Sequence, residues 1–152
     1  MTRYESIRES AVSGQFYSNN PERLRETVTG YLSENKRKIP SSAIGIISPH
    51  AGYIFSGPTA GLTISSVKIP DKLIIIGPNH YGEGPPVSVM PEGLWKFPGF
   101  SVPVASELSA LILDKSRAAV PDFNAHRKDH SIEVQIPFFY YSNPSISFVP
   151  IS

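Results

Sequence analysis

Apolar positions along this chain fall into short blocks separated by Pro and Gly. From Asn20 to Ser33 they recur at helical spacing, as Leu24, Val28, Tyr31 and Leu32 on a polar background, which predicts a helix. Asn20 suits its cap and Pro21 its first position. Two unbroken apolar blocks follow, Ala43–Ser48 and the end of Asp71–Ile76. Each reads as a buried strand, stopped by Pro49 in one case and by Gly77-Pro78 in the other. The small-residue stretch Gly57–Ser66 between them reads as a helix. Strand, helix and strand within a span of about thirty residues imply a right-handed βαβ unit whose strands are parallel and neighbours or near neighbours in one sheet.

Further along, Val87–Met90 and Phe100–Val104 read as strands, and Glu107–Lys115 as a helix through Leu108, Leu111 and Ile112. Ser131–Tyr140 carries Ile132, Ile136, Phe139 and Tyr140 at helical spacing, with Pro137 either kinking that helix or sitting in its first turns. Ile146–Ile151 reads as a last strand, and the basic run Lys36–Lys38 as a solvated connection. The pattern is that of an α/β protein with a mixed, largely parallel central sheet and flanking helices. The alternation stops on a strand with no closing helix, although both faces of such a sheet need cover. A truncated fold is therefore expected. It should expose apolar surface near Ile146–Ile151 and Phe138–Tyr141, and should pair with a missing half or self-associate.

Composition narrows the class. At 152 residues, with 40% hydrophobic and 18% charged residues, the chain is one globular domain. Fourteen Lys and Arg against 13 Asp and Glu leave +1, which gives no basic field for nucleic acid. No apolar run is long enough to cross a membrane, and Met1–Ser10 has no apolar core of a signal peptide, so a cytoplasmic location is expected. With no cysteine, disulfides and thiolate chemistry are excluded within these residues. No nucleotide-binding glycine pattern and no serine-nucleophile elbow is present.

The chemistry lies with four histidines. His50 falls just after the expected strand ending at Ser48, and His80 just after the one ending at Ile76. Parallel strands would bring both to one carboxyl edge, where open α/β sheets place their ligands. With neighbouring strands about 4.8 Å apart, the two imidazoles can converge on one ion. Neutral imidazole suits Fe, Zn, Cu or Ni. The remaining ligand would be a carboxylate, another histidine or a residue outside this chain. His126 and His130 stand at i and i+4, a spacing that puts both rings on one face of a helix, but the order H-R-K-D-H is not that of the zinc proteases. Acid/base duty, support of a ligand, direct ligation, and capping by Asp129 or Ser131 are the readings open for this segment, with Glu133 as a candidate orienting carboxylate. Tyr53, Asn79 and Tyr81 are candidates to contact a small-molecule or peptide ligand.

Four stretches together resemble a known family. They are Ala11–Tyr17 (AVSGQFY), Pro49–Gly57 (PHAGYIFSG), Gly77–Tyr81 (GPNHY) and Asp129–Phe138 (DHSIEVQIPF). In this order and spacing they resemble the Memo family, also called the B component of the AmmeMemoRadiSam system, from about residue 8 to the end of the chain. The resemblance implies a fold similar to the LigB-type, class III extradiol dioxygenases and a non-haem redox metal, iron or copper. It implies that His50 and His80 are metal ligands, and that the third ligand, usually a cysteine, lies in a C-terminal half outside this chain. The resemblance assigns no role to His130 and His126, which stay catalytic candidates on the reading of the residues alone. Ser18 stands where the family usually has Pro, and Asp129 where it usually has Glu. Links of the family's eukaryotic members to signalling favour a second reading, a metal-independent binding module for a peptide or small acid.

Overall fold

The structure, a computed structural model, describes residues 6–34 and 39–152. The basic run Lys36–Lys38 lies outside the described residues.

Two small sheets share one core. The first joins β1 (Ile7–Arg8), β4 (Leu94–Phe97) and β5 (Phe100–Pro103) in the order β1-β4-β5, with β1 parallel to β4 and β4-β5 a hairpin. The second has the order β2-β7-β3-β6, from β2 (Lys72–Ile76), β3 (Ser88–Val89), β6 (Val120–Pro121) and β7 (Ser147–Ile151). There β2 runs parallel to β7 in the register Lys72↔Ser147 to Ile76↔Ile151, and β3 meets β7 antiparallel at Val89↔Ile151. The expected mixed α/β architecture is present, divided between two sheets.

The helices follow their apolar periodicity. In α1 (Pro21–Ser33), Asn20 Oδ1 accepts from Arg23 N–H at 2.9 Å, and Leu24 and Val28 are fully buried. Helix α2 (Tyr53–Ser65) starts four residues earlier than the small-residue run implies, because Tyr53 turns into the core. Helix α3 (Ser106–Lys115) lies as expected, and α4 is the short turn Asn124–Lys128. The Ser131–Tyr140 stretch resolves into a 3-10 turn, Glu133–Gln135, followed by α5 (Ile136–Ser142) with Pro137 in its first turn. Leu24 and Val28 of α1, Ile64 of α2 and Ile136 and Phe138 of α5 meet Trp95 and Phe148 in one buried cluster.

Two expectations fail. Ala43–Ser48 is not a strand, although it is apolar: among the described residues no ladder pairs it, and Ile44 and Ile47 are bare at 111% and 96% exposure. A strand needs a partner's backbone as well as a sequence preference. The neighbour of β2 is instead β7, so the expected βαβ pair does not form. Nor are Ile146–Ile151 and Phe138–Tyr141 an exposed patch. Strand β7 sits between β2 and β3, and Phe148 and Val149 are fully buried. The apolar surface lies elsewhere, on Ile44, Ile47, Ile74, Ile76 and the outer face of α2 at Ile54, Phe55 and Leu62.

Candidate metal centre

Three segments deliver three histidines to one point. His50 follows the irregular Ala43–Pro49 segment just ahead of α2, His80 lies in the loop after β2, and His130 lies two residues beyond α4. One ring nitrogen from each lies within 4.8 Å of the others. The His80 and His130 rings stack with centroids 4.4 Å apart, and His50 stands 5.2 Å from His80 and 5.9 Å from His130. Thus His50 and His80 converge although the first of their two expected strands is absent. His130 joins them as a third imidazole from this same chain.

Asp129 organises the cluster. Its Oδ2 accepts from the His80 backbone N–H at 2.8 Å and lies 2.9 Å from His80 Nδ1. Its Oδ1 accepts from Ser131 N–H at 2.8 Å and from Ser131 Oγ–H at 2.6 Å. Burial opposes the ionised form, but the hydrogen bonds from Ser131 and His80 outweigh it and hold the carboxyl below its usual range. A His80 ring that donates Nδ1–H to this carboxylate leaves its Nε2 lone pair free to bind an ion. Gly77 lets the two loops meet, since a Cβ there would stand 2.8 Å from Ile132 Cγ1. His130 is held below the usual imidazole range by burial and by the neighbouring His80. Its neutral, ligating form is thereby favoured.

His126 is not in the cluster. Helix α4 ends at Lys128 and the chain is extended at Asp129, so the i, i+4 pair does not share a helix face. The His126 ring is buried, 3.0 Å from Ser88 Oγ, and burial pushes its pKa down to about 4. Glu133 does not orient a histidine either. It is fully buried, pairs with Arg8 Nη2 at 2.7 Å, and accepts from Ala11 N–H, Val12 N–H and Tyr17 O–H. Arg8 also donates to the carbonyls of His126 and Asp129 and lies over the Trp95 ring, tying β1 to the His130 loop.

Of the proposed ligand contacts, Tyr53 points into the core and donates to the Val134 carbonyl. Asn79 braces its own turn, donating to Glu83 O and accepting from Gly82 N–H. Tyr81 is exposed. The residue sequence reasoning missed is Asp129 as a partner of His80. Its place beside His130 was the only cue, and the two residues are far apart in the chain.

Three neutral imidazoles are a donor set used by catalytic metal sites, with coordination positions left for solvent or substrate. Ligands at 2.0–2.1 Å from one ion lie at most about 4.2 Å apart, so the rings here close on an ion by under about 1 Å of side-chain movement.

Fold and cluster together define a mixed α/β protein with an imidazole centre where three loops meet at the carboxyl end of β2. Comparison with known proteins narrows this. The sequence pattern of the family described as Memo-like protein matches residues 8–152. A MEMO1 family protein of Thermotoga petrophila is 42% identical over 157 residues, which cover 95% of this chain and 57% of that protein. One from Pyrobaculum arsenaticum is 41% identical over 155 residues, covering 95% and 55%. One from Methanopyrus kandleri is 39% identical over 157 residues, with the same coverage of 95% and 55%. The chain belongs to the Memo-like family, and it spans little more than half the length of these relatives. Among the described residues, no helix is long and apolar enough to cross a membrane.

Proposed function

We propose that this chain supplies the imidazole side of a non-haem redox-metal centre, with iron or copper as the resident ion, in a setting like that of the extradiol dioxygenases. The observation that carries this reading is the convergence of His50, His80 and His130. His50 and His80 hold the ion, and Asp129 keeps His80 in the tautomer that presents Nε2. A bound ion of this kind supplies Lewis-acid and redox chemistry at its open positions. His130, favoured as neutral, is either the third ligand or the group that takes a proton from a ligand at the metal. His126 acts at a distance, by holding Ser88 and the loop that Arg8 anchors. Tyr81 is the proposed ligand contact that is open to solvent.

Titration of Fe(II), Cu(II) and Zn(II) into the protein tests the reading. One equivalent should bind, His50→Ala and His80→Ala should each abolish occupancy, and His126→Ala should weaken it less. Binding by His50→Ala as tight as wild type would overturn the site. The second reading, a metal-independent module for a peptide or small acid, is favoured by an apolar cleft that begins at His50. Metal-free protein that still binds such a ligand at full affinity would select it.

A further inference from the structure

Strand β2 ends its sheet, and its outer edge is unpaired among the described residues. Parallel pairing alternates, so one set of main-chain groups faces β7, as Asp71 O and Gly77 N–H do in their bonds to Ser147 and Ile151. Leu73 and Ile75 share that phase. Lys72, Ile74 and Ile76 therefore turn their N–H and C=O groups outward. Beside this edge runs Ala43–Ser48, an irregular segment with a bend at Ile44 and, among the described residues, no ladder. It is anchored at one end by Ser41 N–H to Ser66 O and Lys68 N–H to Ser41 O, and at the other by Gln135 Nε2–H to Pro49 O. Between the two lies a cleft of about 770 Å³, with Leu108 and Phe139 in its lining.

We infer that this cleft is a slot for one β-strand, inserted between β2 and Ala43–Ser48. The occupant is an extended apolar segment from the part of the Memo-like architecture that this chain does not span. Four observations carry this. A five-residue strand fills about 16 Å by 4.8 Å by 10 Å, or roughly 800 Å³, so the cleft has room for one. After Lys72, whose charge stands at the start of the edge, β2 runs Leu-Ile-Ile-Ile with no proline, so four consecutive residues are open to strand addition. Ile74 and Ile76 are 51% and 77% exposed and Ile44 and Ile47 are bare, so both walls await apolar cover. Two buried polar atoms at the histidine end of the slot, Ser48 Oγ and Gln135 Oε1, have no hydrogen-bond partner. Buried polar groups are rarely left so, and an incoming main chain supplies the missing partners. The relatives are long enough to provide it, since the match covers only 57% or 55% of their length. The inference stands independently of the metal reading, because it uses main-chain pairing and not imidazole ligation.

Amide exchange followed by NMR tests it. The comparison is between this chain alone and a chimera in which it replaces the matched part of the Thermotoga petrophila relative. The amides of Ile74 and Ile76, which face the slot, should exchange at least about tenfold more slowly in the chimera. Those of Leu73 and Ile75, already bonded toward β7, should change far less. Equal exchange at Ile74 and Ile76 in the two proteins would overturn the inference. Sedimentation of the chain alone separates the competing occupant: a dimer that protects the same amides assigns the slot to a second copy and also overturns it.

Discussion

At the scale of single residues, the cluster depends on groups that touch no ligand. Asp129→Asn replaces the carboxylate that accepts from His80 Nδ1–H with an amide that presents one acceptor and one donor. Metal affinity should fall by about 10–100-fold. The nitrogen NMR spectrum of the metal-free protein should show His80 moving from one tautomer to a mixture, and unchanged tautomer and affinity in a folded variant would refute the role. His126 leads to a pH prediction. Its folded pKa, about 4, lies below the ordinary imidazole value of 6.5, so the unfolded chain binds the proton more readily. Its contribution is therefore fully present above pH 6.5 and is lost as pH falls toward 4. The loss by the end of that window is about 3 kcal/mol. Urea unfolding at several pH values should show this decline, and His126→Gln should flatten it.

Among elements, the contact of α1 with α2 sets tolerances that helix preference alone would misjudge. In an isolated helix Ala is favoured over Gly by about 1 kcal/mol. At Gly61 of α2 the added Cβ would stand 2.7 Å from the Tyr31 carbonyl carbon and 2.8 Å from its oxygen, backbone atoms that cannot rotate away. Gly61→Ala should therefore destabilise by about 1–3 kcal/mol. Gly30 of α1 has nothing within 4 Å, so Gly30→Ala should stabilise by up to about 1 kcal/mol. Thermal unfolding of the two variants should show shifts of opposite sign. The buried pair of Arg8 in β1 with Glu133 in the 3-10 turn is the other joint between elements. Glu133→Gln leaves the guanidinium buried without its counter-charge and should cost about 3–5 kcal/mol, read in the same assay.

For the whole molecule, the three histidines come from segments that meet only in the folded state, so a bound ion should stabilise the fold. At a free metal concentration one hundred times the Kd, the gain is about 2.7 kcal/mol. The melting temperature should rise with added Zn(II) or Cu(II) in wild type and stay flat in His130→Ala. A rise of equal size in that variant would remove His130 from the ligand set.

Local chemistry made much of this protein legible from its residues. Helix α1 and its Asn20 cap follow from short-range spacing and a side chain that reaches three residues on, as do α3 and the run of isoleucines in β2. The motifs that hold His50 and His80 were enough for the family, whereas the two rings meet without the strand pair expected to bring them together. Tertiary structure alone decided three things. Ala43–Ser48 has the sequence of a strand but, among the described residues, no partner backbone paired with it, and a strand is a property of a pair. His126 and His130 are four residues apart, yet the chain leaves the helix at Asp129, sending one ring into the core and the other to the cluster. Asp129, Ser131 and Arg8 act on groups distant along the chain, and no local period records a contact that only folding creates.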